Sequence, residues 1–224
     1  MLNLKMKKTK NLTVIIAAGG TGTRFGGKVP KQFAMLGKRP VLWHTLTAFN
    51  KFSKDAKIII SMHSESIIYW NSLVKKYPDT PAHQTVEGGK TRFHSVKNAL
   101  ACCPDDGIIL VHDAVRPFVP HEVIDRVDKE AEKSGAAIPV ISVSDSIRMI
   151  TKTGSKSVDR KNYVRVQTPQ GFKASLLIKA FGQRYCEKFT DEASVVEKLG
   201  VKLSLVQGDE QNIKVTVQSD LAER

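Results

Sequence analysis

Three cations gather on a glycine-rich loop: Arg24 lies between Gly19, Gly20, Gly22 and Gly26, Gly27, and Lys28 and Lys31 follow. Glycines let backbone N–H groups approach an anion closely, because no Cβ stands in the way, and the cations supply the charge a polyphosphate needs. Two familiar phosphate loops are near misses. Gly22 to Lys28 has the spacing of a Walker A loop, but Val29 stands where the magnesium-binding hydroxyl belongs and Pro30 follows at once. Gly20-x-Gly22-x-x ends on Phe25, so the dinucleotide fingerprint is also incomplete. A nucleotidyltransferase loop, with glycines around a triphosphate and Arg24 and Lys31 beside the α-phosphate, is the third version. The plain alternative is a glycine-rich turn with solvated cations.

A carboxylate completes the chemistry. The apolar run 108–111 passes through His112 and ends on Asp113, followed by Ala114-Val115-Arg116-Pro117. A carboxylate at the tip of a central strand can hold magnesium together with phosphate oxygens and water. A salt bridge with Arg116 is the simpler role. The pair Gly88-Gly89 precedes a helical pattern running through Leu100, with Ser95 one turn inside. Free N–H groups at such a helix start bind anions or polar base edges. Lys214 alternates with Ile213 and Val215, and so faces away from them in an extended segment.

These residues need a frame. The apolar runs 14–18, 56–62, 107–113 and 136–143 read as buried strands, and 40–52, 64–77 and 122–133 as amphipathic helices. Strand alternating with helix implies right-handed crossovers and a mostly parallel α/β sheet with helices on both faces. Residues 144–165 break the pattern: short β-type pieces around Thr153-Gly154-Ser155, expected as a hairpin arm. A two-stranded arm is barely stable alone, so it is expected to pack on another subunit. Residues 174–185 predict a helix, Thr190 the N-cap of another that ends at Gly200, and 201–206 and 212–216 closing strands.

Bulk properties narrow the class. A chain of 224 residues with 41% hydrophobic and 25% charged residues suits one globular domain. Residues 1–11 are expected to be a loose basic tail and 12–224 a single domain carrying the arm. No apolar run approaches the ~20 residues of a membrane helix, and the basic start lacks a signal peptide's apolar centre. Three cysteines without C-x-x-C spacing point to a reducing cytoplasm, and scattered histidines argue against a histidine-built metal site. The net charge of +13 suits nucleic acid or anionic substrates, but its cations are dispersed, with four lysines in the tail.

Ala17-Ala18-Gly19, Arg24, Pro30-Lys31-Gln32, residues 111–117, Val158-Asp159-Arg160, Thr168-Pro169-Gln170, residues 190–194 and residues 212–216 recur in order over nearly the whole chain. On these motifs the sequence closely resembles the 2-C-methyl-D-erythritol 4-phosphate cytidylyltransferases of non-mevalonate isoprenoid synthesis. The resemblance implies a Rossmann-like, GT-A-like nucleotidyltransferase fold with a protruding β arm that makes a homodimer. It implies magnesium-dependent transfer of CMP from CTP to a sugar-alcohol phosphate. Ala17, Ala18, Gly19, Gly22, Gly89, Ser95 and Ala114 would then hold CTP, and Asp113 the metal. Arg24, Lys31 and Lys214 would be catalytic. Ser146, Arg160 and Thr168, with Lys214, would bind the substrate phosphate, the arm residues reaching the neighbouring subunit.

The sequence departs from that family at Ser146, where threonine is usual, at Lys90, where an acid is common, and in a loop one residue longer. Ribitol-5-phosphate cytidylyltransferases share the fold and several motifs, but Val158-Asp159-Arg160 favours the methylerythritol enzymes. A nucleic-acid-binding module without catalysis would explain the charge but not the carboxylate at the strand tip.

Overall fold

Alternation along the buried strands divides the core into two layers. The computed structural model describes residues 11–20, 25 and 29–222. The basic segment 1–10, and Gly22, Arg24 and Lys28 of the loop, lie outside the described residues. Strand β1 (Leu12–Ala17) is followed by a 3-10 turn (Lys31–Phe33), the small hairpin β2 (Met35–Leu36) and β3 (Arg39–Pro40), and helix α1 (Val41–Phe52). Then come β4 (Lys57–Met62), α2 (Ser64–Lys76), β5 (Gln84–Glu87), α3 (Arg92–Leu100), β6 (Ile108–Asp113), α4 (His121–Ser134) and β7 (Ala136–Ser142). The arm hairpin is β8 (Arg148–Thr151) and β9 (Gly154–Ser157); β10 (Val164–Val166), β11 (Gln170–Lys173), α5 (Ala174–Phe181), α6 (Glu192–Glu197), β12 (Ser204–Gln207) and α7 (Ser219–Ala222) complete the chain.

Val14 and Ile16 of β1, Ile58 and Ile60 of β4, and Ile108 and Leu110 of β6 pack with α1, α2 and α4. Their neighbours Ile15, Ile59, Ile109 and Val111 point the other way and pack with α3, α5 and α6. Period-two alternation on strands covered on both faces produces this division. Side chains such as Phe49, Trp70 and Phe172 are at most 1% exposed, and burying one of this size stabilises by about 1.5–3 kcal/mol.

The main sheet runs β5-β4-β1-β6-β11-β7, with β10 beside the far end of β7 and β12 along its other edge. Strands β5, β4, β1, β6, β7 and β12 are mutually parallel; β10 and β11 run against them. The expected α/β class and two-faced helix cover are what the structure shows. At the amino end of β6 Gly107 is obligatory: its φ is +83°, and a Cβ there would sit 2.0 Å from the Asn11 carbonyl oxygen.

Several boundaries differ from the sequence reading. Asp191, not Thr190, caps α6: its carboxylate accepts the Ser194 N–H while the Ser194 hydroxyl stands by the Asp191 N–H, a reciprocal capping box. Helix α5 stops at Phe181, because the Gly182 N–H turns back onto Ile178 and Lys179 and the chain folds Tyr185 and Phe189 against Phe93. Residues 212–216 form no strand. Side chains take their backbone groups instead: Arg116 donates to the Asn212 carbonyl and Asp220 accepts the Thr216 N–H. The last strand is 204–207 rather than 201–206, and residues 164–165, counted with the arm, begin β10 in the main sheet.

Candidate active site

The carboxyl ends of the parallel strands are level. Ala17 of β1 lies opposite both Ser61 of β4 and Asp113 of β6, and Met62 opposite Glu87 of β5. Beyond this rim opens a cavity of about 430 Å³, lined by Ala17, Gly19, Gly20, His63, Gly89, Lys90, Thr91, Arg92 and Ser95. Its position, at the end of an open α/β sheet, is where such folds bind ligands.

One wall is made of backbone held at close quarters. The Ser95 hydroxyl accepts the Gly89 N–H at 3.0 Å, and Ser61 donates to the Ser95 carbonyl at 2.9 Å. A Cβ on Gly88 would stand 3.0 Å from the Ser95 oxygen, and one on Gly89 would stand 2.4 Å from the His94 Cβ. Side chains at 88 and 89 would therefore push α3 off the sheet. Thr91 caps α3, its hydroxyl accepting the His94 N–H, which leaves the first-turn N–H groups of the helix beside the cavity. Gln32, 3% exposed, donates to the Ala18 carbonyl at 3.0 Å and so ties the turn carrying Lys31 to the end of β1.

Beside the cavity, joined to its lining through Arg92, lies a cluster of charges around Asp113, whose side chain is 7% exposed. Arg92 Nη1 donates to Oδ1 at 2.7 Å; Lys214 Nζ lies 2.9 Å and Arg116 Nε 3.4 Å from Oδ2. Burial alone would push this carboxyl up, but Arg92, then Lys214 and Arg116, outweigh it and hold it well below the usual carboxylate range. Burial acts the other way on Arg92, and Glu192 with Asp113 overcomes it, so its guanidinium stays charged. Burial lowers Arg116, which Asp113 offsets only in part.

Beneath Asp113 a directional chain fixes the strand tip. The carbonyl of Arg116 can only accept, so His112 Nε2 carries the proton donated to it, at 3.1 Å. His112 Nδ1 is then the acceptor for the Thr168 hydroxyl at 3.0 Å, and that hydroxyl accepts the Asp113 N–H at 3.1 Å. His112 is wholly buried, and desolvation pushes its pKa down to about 3, so it stays neutral. Asn212 donates to the Thr168 carbonyl, and Val215 N–H to the Val115 carbonyl, which seats Lys214 above Asp113.

The structure brings Ala17, Gly19, Gly89 and Ser95 to the cavity, with Ala18 buried next in sequence, while Asp113, Ala114 and Lys214 lie beside it, joined to its lining through Arg92 and Ala17. Ala114 is anchored by its N–H on the Ala17 carbonyl and by Thr45 on its own carbonyl. Lys31 opens the 3-10 turn that Gln32 ties to Ala18, and its charge acts on Asp220. Thr168, expected on the substrate phosphate, is 6% exposed with its hydroxyl committed to His112 and Asp113. Ser146 and Arg160 are exposed on the arm, Arg160 donating to the Ser144 carbonyl. Among the described residues no hydrogen bond or ion pair joins either to the Asp113 cluster. Arg24 and Gly22 fall outside the described residues. Sequence reading gave no individual role to Arg92, Glu192, Gln32 or Asn212. None has a spacing signal, although a buried-looking acid three residues after Phe189 could have prompted a search for its cation.

Comparison with known proteins identifies the family and the fold. The family profile described as 2-C-methyl-D-erythritol 4-phosphate cytidylyltransferase matches residues 12–224. Proteins of that name from Phocaeicola vulgatus and Bacillus thuringiensis are 47% and 39% identical over 211 and 212 residues, covering 94% and 93% of this chain and 96% and 94% of theirs. The crystal structure of the cytidylyltransferase from Thermus thermophilus superposes with a TM-score of 0.75 at 31% identity, over 95% of this chain and 96% of that one. The bifunctional IspDF from Campylobacter jejuni gives 0.80 at 30% identity over 95% of this chain, which spans 54% of that longer protein. The chain belongs to the 2-C-methyl-D-erythritol 4-phosphate cytidylyltransferase family.

Proposed function

We propose that this protein transfers CMP from CTP to 2-C-methyl-D-erythritol 4-phosphate, releasing pyrophosphate. The observation that carries the reading is the group of three cations assembled on Asp113 beside a nucleotide-sized cavity. An oxygen of the acceptor phosphate attacks the α-phosphorus of CTP. The bond from that phosphorus to the bridging oxygen of the β-phosphate breaks, and the electron pair leaves with pyrophosphate. A phosphate monoester has a second pKa near ~6 and is already largely dianionic at neutral pH, so the attack needs no general base. His112, buried and neutral with both ring nitrogens engaged, has no such role. The barrier is the meeting of two anions, and fixed cations lower it. Lys214 faces the acceptor phosphate, while Lys31 and Arg24 neutralise the α-phosphate. Ala17, Ala18, Gly19, Gly22, Gly89, Ser95 and Ala114 hold the nucleotide.

The residues present do not build a resident magnesium site. Asp113 is a single carboxylate with both oxygens engaged by cations, and among the described residues no group of three or more His, Cys, Asp or Glu could hold a metal. A divalent cation would enter with the triphosphate, and Asp113 serves to hold the protein's own cations.

The arm suits a homodimer. Among the described residues β8 and β9 pair only with each other, every residue of both is exposed, and Met149 and Ile150 are 43% and 81% exposed. A second copy of the chain would cover them and receive Ser146 and Arg160 at its acceptor site. No described helix is long and apolar enough to cross a membrane, and the three free cysteines suit the reducing cytoplasm proposed as its location. The test is pyrophosphate release from CTP with 2-C-methyl-D-erythritol 4-phosphate and, separately, ribitol 5-phosphate. Turnover with the first acceptor alone is expected; turnover with ribitol phosphate alone would overturn the acceptor assignment.

A further inference from the structure

Three separate segments converge on Arg92. It opens α3 just after Gly88-Gly89, and its side chain, 27% exposed, borders the nucleotide-sized cavity. Most of its guanidinium is committed to Glu192 as a fork: Nε donates to Oε1 and Nη2 to Oε2, both at 2.9 Å. The remaining Nη1 donates to Asp113 Oδ1. Glu192 is 1% exposed, lies at the start of α6 and is absent from the cavity wall. Phe93, Phe181 and Phe189 enclose the pair.

A buried ion pair is costly to desolvate, and apolar packing could replace one that served stability alone. This pair has a direction as well. A two-point fork fixes the plane of the guanidinium, which a lysine ammonium cannot do. That plane delivers Nη1 to one oxygen of Asp113 and leaves the other for Lys214 and Arg116.

We propose that Arg92, clamped by Glu192, is a positioning residue for cytidylyl transfer. It pins one oxygen of Asp113 so that the other presents Lys214 to the phosphates, and it couples that arrangement to the helix start beside the nucleotide. The inference rests on the activity proposed above. Losing the fork frees the Asp113 carboxylate to turn, and Lys214 loses its fixed place on Oδ2 of Asp113.

The test uses R92K, E192Q and the double variant of the full chain, assayed well below the lowest melting temperature among them. Pyrophosphate release gives kcat and KM, and calorimetry gives CTP affinity without acceptor. A small misplacement of a catalytic group costs up to about 10²-fold, so each single variant is expected to lower kcat about 10–100-fold. KM for CTP should change less than about threefold, and the double variant should be no slower than R92K, because both substitutions break one unit. Wild-type kcat in E192Q, multiplicative losses in the double variant, or losses that appear only near the melting temperature would each overturn the inference. A wild-type enzyme that releases no pyrophosphate is instead a failure of the proposed activity. An active wild type indistinguishable from E192Q is a failure of this inference alone.

Discussion

The Asp113 cluster and the β8–β9 arm are opposites in construction. Around the buried Asp113 each charged group is answered by another, and residues from β6, α3, α6 and the 212–215 segment meet within hydrogen-bond distance. The arm has a backbone ladder between its own two strands and side chains that face outward throughout. The first region is preorganised by its own chain, which is what a site that stabilises developing charge requires. The second leaves apolar side chains such as Ile150 uncovered, which is what an element built for another molecule requires. One chain thus carries a charge cluster completed by its own residues and an arm whose apolar side chains are left exposed.

Substitutions should fall into two kinds accordingly. The largest effect belongs to the loop at the end of β1, away from the arm: Lys31→Ala is expected to lower kcat by roughly 10²–10³, as loss of a charge-stabilising group does, read by steady-state pyrophosphate release. Near-normal turnover would remove Lys31 from the catalytic set. On the arm, Arg160→Ala should raise KM for the acceptor about 10-fold and leave KM for CTP unchanged, since only the acceptor phosphate is clamped there. An unaltered acceptor KM would break the contrast.

Stability should divide in the same way. The folded state holds His112 neutral with a pKa near 3, against 6.5 for the free side chain. Its contribution is therefore fully present above pH 6.5 and is lost as pH falls toward 3, because the unfolded chain takes up the proton first. The slope is at most ~1.4 kcal/mol per pH unit, and replacing His112 by Gln should flatten it in urea unfolding titrations. Asp191→Ala removes the cap of α6 and should cost ~1 kcal/mol. Ile150→Ser, at the exposed tip, should change unfolding free energy by no more than ~0.5 kcal/mol while weakening self-association in sedimentation. A large loss of stability there without a change in association would show that the arm supports its own chain.

Much of this was legible in the sequence because it rests on local rules. Buried strands such as those built on 14–17 and 108–111 are continuous apolar runs, and an Asp just beyond one has to emerge at the strand tip. Strand β5 was not legible: Gln84-Thr85-Val86-Glu87 has little apolar content, and it is a strand because the edge of β4 is there to pair with. Segment 212–216 misled for the opposite reason, an alternating pattern whose backbone groups are taken by Arg116 and Asp220. Arg92 and Glu192 are 100 positions apart; nothing local announces their meeting. Thr168 was visible as a motif residue, but only the fold shows its hydroxyl bonded beneath the site rather than within it.

The antiparallel strand between β6 and β7 has a consequence for how the molecule is made. Strand β7 reaches β6 only through β11, which the chain supplies after the arm has gone out and returned. The amino-terminal half can assemble its parallel strands as it emerges from the ribosome, but the β6 edge stays open until residues 170–173 arrive. The partners of Asp113 follow the same schedule: Arg92 is already present, Glu192 and Lys214 come last. Catalytic competence is therefore a property of the completed chain, and a product shortened before Lys214 carries the nucleotide wall without the charge arrangement that would use it.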